Sequence, residues 1–153
     1  MQLTARTENE LITLFDSKNQ IIGKLQIKNN TKECKIFINN KVYDVIREKW
    51  TARIVENNQT IYHLKTDKFW GTIKVTESNK EIRGVFGFTW ATQLRDAYKQ
   101  TLLKIRNENS FKNTGVYIIQ LDKEDIDPLE ILITLYGHIF GSIAKQNTVF
   151  LYS

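Results

Sequence analysis

Two histidines, one cysteine, an acidic run and a scatter of basic side chains are the residues with chemistry to offer. Cys34 lies in the strand-like stretch Cys34 to Ile38 with no paired motif. Burial among apolar neighbours raises a thiol's pKa and makes it inert, so a structural role is expected. His63 alternates with Tyr62 and Leu64 and so faces solvent, within reach of Asp67 only across the following turn. A histidine and an acid without a nucleophile make no triad. His138 falls in a wholly apolar stretch, where a neutral imidazole hydrogen-bonded to a carbonyl or a water is the usual solution. No partners at metal-ligand spacing accompany it. Asp122, Glu124, Asp125 and Asp127 lack the glycine and terminal glutamate of a calcium loop, and read as a solvated turn followed by a helix cap. No Gly-rich phosphate loop occurs. These residues predict a protein that is not an enzyme and carries neither metal nor cofactor.

What remains is surface charge. The chain has 22 Lys and Arg against 17 Asp and Glu, a net charge of +5, which permits anionic partners without demanding them. Strand alternation puts Lys24, Lys28, Lys74, Lys104 and Arg106 on wet faces, with Arg47, Lys49 and Arg53 nearby in sequence. Scattered lysines on strands also serve simply to block edge pairing and aid solubility. Against that reading stands an anionic surface. A nucleic acid is disfavoured, since there is no continuous basic tail, helix-turn-helix or zinc pattern.

The elements that carry these residues are mostly strands. Apolar alternation and turn residues recur about every ten positions, the spacing of an antiparallel meander. Turns are expected where Asn and its turn-forming neighbours cluster: Asp16 to Asn19, Asn29 to Lys32, Asn39 to Lys41, Asn57 to Gln59, Thr66 to Lys68 and Ser78 to Lys80. Gly23, Leu25 and Ile27 face one way and Ile22, Lys24, Gln26 and Lys28 the other; Ile73 and Val75 likewise oppose Thr72, Lys74 and Thr76. Val42 to Ile46, Trp50 to Glu56, Thr60 to Lys65 and Glu81 to Phe88 continue the series.

Two regularities bear on the count of strands. Trp90, Leu94, Ala97, Tyr98, Thr101, Leu102 and Ile105 fit a helical spacing over 90–107, but residues 14–25 align without gaps on 94–105, repeating Leu, Asp, Gln and Lys at matched positions. The repeat favours a second hairpin, turning at Asp96 to Lys99 as the first does at Asp16 to Asn19, with a helix as the alternative. Trp50, Trp70 and Trp90 stand at equal spacing, which either places three large side chains around one rim or inner layer of a barrel or arises by chance.

The last element differs. Asp127 and Pro128 mark a helix start, and the apolar residues from Ile131 to Ile143 cover most of its circumference, so the helix, running to about Ala144, must be enclosed. Gly137 and Gly141, one turn apart, read as packing choices. The tail Thr148 to Tyr152 is expected to form a short strand. At about 16 residues with Glu130 and His138 inside it, the helix is too short and too polar to span a bilayer. The chain of 153 residues shows no linker and is read as one domain, 1–153, long enough to bury roughly two thirds of its unfolded surface. A lone cysteine and an N-terminus without an apolar run predict a reducing, cytoplasmic setting.

The strand Tyr117-Ile118-Ile119-Gln120-Leu121, the acidic turn Asp122-Lys123-Glu124-Asp125, and Asp127-Pro128 opening an apolar helix resemble the end of tubby-like proteins of the LURP-one-related family. So do the repeated hairpin units ending in Lys24 and Lys104. The resemblance implies a mainly β fold: a closed antiparallel β-barrel of about twelve strands around a central C-terminal hydrophobic helix, with pseudo-repeat halves. Dimensions agree, because a helix of about 16 residues is roughly 24 Å long and strands of seven to nine residues span roughly 23 to 30 Å. For function it implies a phosphoinositide or other phospholipid headgroup as the anionic surface. No motif aligns that family's lipid-contacting residues here, so Lys24, Lys28, Lys74, Lys104 and Arg106 rest on alternation alone. The expected function is a non-enzymatic binding module for anionic phospholipid headgroups at a membrane surface; the alternative is a protein-interaction or scaffold barrel with no small ligand.

Overall fold

In the computed structural model, residues 1–28, 33–67, 71–84 and 92–152 are described, with side chains as far as Phe140 in the C-terminal helix. The strands are β1 (Gln2–Glu8), β2 (Leu11–Phe15), β3 (Ile21–Ile27), β4 (Glu33–Ile38), β5 (Lys41–Glu48), β6 (Thr51–Glu56), β7 (Gln59–Thr66), β8 (Ile73–Val75), β9 (Lys80–Gly84), β10 (Thr92–Arg95), β11 (Thr101–Asn107) and β12 (Val116–Leu121). Each pairs antiparallel with the next in sequence, and β1 pairs with β12 to close a twelve-strand barrel. Ring closure leaves no edge for another chain to extend.

Turn chemistry sets the register. Asn9, Asn19, Asn39, Asn57, Asn58 and Asn79 all adopt left-handed backbone, which Asn tolerates far better than β-branched or bulky residues do. The expected turns at 29–32 and, in part, at 66–68 lie outside the described residues. The sequence repeat is a structural repeat. Asp16 Oδ1 accepts hydrogen bonds from the amides of Lys18 at 2.8 Å and Gln20 at 2.9 Å; Asp96 Oδ1 accepts them from Tyr98 and Gln100, both at 2.9 Å. Asn19 and Lys99 occupy the same left-handed position, at φ 62° and 66°. Residues 94–106 therefore form the expected hairpin rather than a helix, and a register shift follows Leu14 and Leu94 alike.

The helix α1 (Pro128–Tyr152) begins as expected: Asp127 Oδ1 accepts from the Leu129 amide at 3.0 Å. Ile131 to Ile139 are all buried, which on a helix means enclosure on every side. Leu132 lies against Gly23 of β3, where an added Cβ would come within 2.8 Å of Leu132 Cδ1 and 3.0 Å of the Phe37 carbonyl oxygen. At Gly137 a Cβ would meet Ile73 and Ile82, each at 3.2 Å, so this glycine is a packing choice. Gly141 lies beyond the described side chains.

The helix end corrects the expectation. α1 runs 25 residues, to Tyr152, and absorbs the tail Thr148 to Tyr152 that was read as a strand. No Gly or Pro follows Gly141 to stop it, and the β1–β12 pairing leaves no edge at which a further strand could hydrogen-bond. At about 37 Å the helix exceeds the height of the strands that surround it.

Because neighbouring strands alternate in direction, the connections form two rims. The β2–β3, β4–β5, β6–β7, β8–β9 and β10–β11 turns make the first, where α1 begins; the β1–β2, β5–β6 and β11–β12 connections lie at the second.

Candidate functional site

Among the described residues, several polar side chains inside the barrel are engaged in structure, while the buried Ser78 hydroxyl has no partner. Near the first rim Lys80 Nζ donates to both carboxylate oxygens of Glu130, joining β9 to the first turn of α1. Toward the second rim His138 Nε2–H donates to Asn107 Oδ1 at 2.8 Å, leaving Nδ1 to accept from the Thr92 hydroxyl at 2.6 Å. The Tyr117 ring meets the imidazole edge-on at 5.6 Å. The histidine expected in this helix is thus held by a side-chain amide and a hydroxyl. Cys34 is buried on the inner face of β4, and desolvation pushes its thiol up to about 12. Arg47 turns inward over the Phe140 ring, 4.7 Å from its centroid.

His63 faces solvent as alternation requires, but its partner is Glu77 rather than Asp67: the 3-10 turn Thr76–Ser78 brings the carboxylate to the ring Nδ1 and to the backbone amide. Partial burial pushes the Glu77 carboxyl up, yet the hydrogen bonds from the His63 ring and amide outweigh it, and its pKa falls below the ordinary value. Among the described residues no three His, Cys, Asp or Glu side chains gather as metal ligands.

Lys24, Lys28, Lys74, Lys104 and Arg106 project outward, and the ring separates them into three sectors. Lys24 and Lys28 belong to β3 and its end, where Lys28 Nζ lies 3.4 Å from Glu33. Lys74 is on β8. Lys104 and Arg106 share the outer face of β11; Lys104 lies 3.7 Å from Asp122, and Arg106 Nη1 donates to the carbonyls of Asn107 and Glu108 at 3.3 and 3.2 Å. At least three strand steps separate any two of these sectors. They do not form one site.

One sector concentrates charge. Lys65 on β7 stands directly opposite Lys74 on β8, both exposed. Arg53 on β6 stands opposite His63, two residues along the same face from Lys65, and Arg83 lies diagonal to Lys74 on β9. The acid opposite Lys74 on its other side, Glu81, is nearly buried and already held by Lys99 at 3.2 Å and Arg95 at 3.9 Å. Like charges directly opposite across a strand pair destabilise a sheet, so this placement favours an anion above the wall. Lys65 and Arg83 escaped the sequence reading. Lys65 shares the face of His63 by alternation, but its opposition to Lys74 depends on a register fixed across 67–72, which no sequence pattern announces. Of the three regularly spaced tryptophans, Trp50 sits at the second rim in the β5–β6 turn; Trp70 and Trp90 lie outside the described residues.

No family model matches the chain, and no curated protein matches it in sequence. Among solved structures, the X-ray structure of a protein from Arabidopsis thaliana, AT5G01750, superposes with a TM-score of 0.58 at 7% identity, covering 88% of this chain and 87% of that one. At that identity the likeness is one of fold: both are the same kind of closed barrel over most of their length. Among the described residues no helix is long and apolar enough to cross a membrane.

Proposed function

We propose that the chain is a non-enzymatic binding module of the tubby-like, LURP-one-related kind, and that it recognises anionic phospholipid headgroups at a membrane surface. The observation that carries the reading is the opposed pair Lys65 and Lys74, flanked by Arg53 and Arg83 on one sector of the wall. A phosphate among these side chains relieves their mutual repulsion and gains charge-assisted hydrogen bonds. Barrel shape and the resemblance of the acidic turn and helix to that family support the class. Among the described residues Cys34 is held as a thiol and His138 is engaged by Asn107 and Thr92, which favours a binding role over interior chemistry.

Each basic side chain near an anionic membrane contributes about 1 kcal/mol, screened beyond roughly 8 to 10 Å at ordinary salt. Sedimentation with vesicles of phosphatidylcholine and phosphatidylserine tests the reading. The chain should associate at low salt and release as salt rises, and Lys65→Glu with Lys74→Glu should abolish association. Reversal at Lys104 and Arg106, or at Lys24 and Lys28, should weaken it less. Absence of wild-type association at low salt, together with a protein recovered by pull-down, would transfer the assignment to an interaction barrel. The outward apolar pair Phe37 and Val42 gives that second reading a surface.

A further inference from the structure

Histidine is the side chain whose charge changes between about pH 5 and 8, and the fold separates the two that this chain has. His138 is buried in the barrel between Asn107 and Thr92. His63 stands on the outer wall within the cationic sector itself, its side chain 56% exposed. The Glu77 carboxylate holds it twice, accepting from its amide at 2.6 Å and from its ring Nδ1. With Nδ1–H donating there, Nε2 is turned from the carboxylate and meets no hydrogen-bond partner among the described residues. A neutral ring in this orientation offers a phosphate only a lone pair. A protonated ring offers a donor and a charge at the same place. Glu77 stays ionised while a histidine titrates, because its pKa lies below the ordinary carboxylate value.

Cations surround His63 from three strands. Arg53 on β6 is directly opposite, Lys65 is two residues along β7 on the same face, at about 7 Å, and Lys74 on β8 stands opposite Lys65. The acids are Glu77 on the 3-10 turn, Asp67 beyond Lys65, and Asp44 and Glu48 on β5, one strand past Arg53 and diagonal to it. Asp44 is paired with Lys35 at 3.8 Å, and Glu81 beyond Lys74 is held by Lys99 and Arg95. A protonated His63 therefore faces Arg53 as Lys65 faces Lys74. An anion over the outer face of β7 relieves both repulsions at once.

We infer that His63 is the protonation-dependent contact of the cationic sector: its imidazolium, oriented by Glu77, donates Nε2–H to a headgroup phosphate beside Arg53 and Lys65, so that membrane association strengthens as pH falls through the histidine range. The inference rests on the headgroup-binding reading and adds its regulation. By linkage, a phosphate seated there holds the proton on His63, so the ring's titration midpoint rises on binding. Glu77 is a positioning residue: removing its carboxylate frees the ring and takes away the charge that favours its protonation.

The test is sedimentation with phosphatidylcholine and phosphatidylserine vesicles at low salt, at about pH 8 and about pH 5.5. Wild-type association should tighten roughly fivefold at the lower pH, the effect of one further charge near an anionic surface. His63→Gln should bind alike at both, as weakly as wild type at the higher pH. His63→Lys should also bind alike at both, as tightly as wild type at the lower pH, and thermal melts should show both variants folded. Imidazole proton shifts should place the wild-type His63 midpoint higher with phosphatidylserine nanodiscs than without them, and Glu77→Gln should lower it in either case. Equal pH dependence in wild type and His63→Gln, or a midpoint that the nanodiscs leave unmoved, overturns the inference. If that happens while Lys65→Glu with Lys74→Glu still abolishes association, the headgroup reading survives and only its pH control falls. If the wild-type chain fails to associate at either pH, both fall.

Discussion

The Cys34 thiol sits on the inner face of β4, and burial pushes it from an ordinary 9.0 up to about 12. The folded state therefore favours the neutral thiol. Its contribution to stability is complete below pH 9 and is lost as pH rises toward 12. Iodoacetamide at pH 8 should leave the native chain unmodified and alkylate it only in denaturant; rapid native modification would show that the thiol is not enclosed. The inert thiol was expected from the apolar strand-like stretch around Cys34, and strand alternation put His63 outside. The partner of His63 was not readable that way, because Glu77 reaches it through a 3-10 turn whose position depends on where β8 ends. Lys65 and Lys74 illustrate the same limit: alternation places each on the outer face, and only the register of β7 against β8 makes them neighbours.

Hairpins and the helix were legible to different degrees. The repeat of residues 14–25 in 94–105 outweighed a helical spacing because the matched Asp organises its turn through its own side chain, a local interaction that sequence preserves. Asp16→Ala and Asp96→Ala each remove an acceptor of two amides, and each should cost about 1 kcal/mol in a denaturant melt. Similar costs are expected because the two turns share one geometry; a loss at only one would show that the repeat is not structural. The start of α1 was equally local, set by Asp127 and Pro128. Its end was not, since no residue stops the helix and the absence of a free sheet edge is a property of the closed ring.

Packing between wall and helix lies further from the sequence. Gly23→Ala forces a Cβ toward Leu132 and the Phe37 carbonyl, and should cost about 1 to 3 kcal/mol. Leu132→Ala opens a cavity at about 2 to 5 kcal/mol. The double variant should cost less than the two together, since the smaller side chain makes room for the new methyl. Strict additivity would separate these residues in space.

At the scale of the whole molecule, ring order decides what charge can do. A net charge of +5 and outward lysines suggested an anionic surface, yet Lys24 and Lys28, Lys74, and Lys104 with Arg106 occupy three sectors that no single headgroup can span. A closed barrel was expected from the family resemblance, with the meander and the enclosed helix in agreement. Which lysines share a sector was not, because it follows from counting strands around a completed ring. The sector of Lys65, Lys74, Arg53 and Arg83 is where the account stands or falls. Amide chemical-shift mapping of the chain on nanodiscs containing phosphatidylserine addresses it most directly. The account predicts perturbations concentrated on the outer face of β6 to β9. Perturbations spread evenly over the three sectors, or confined to the first rim around Asp16, Asp96 and Tyr98, would contradict it.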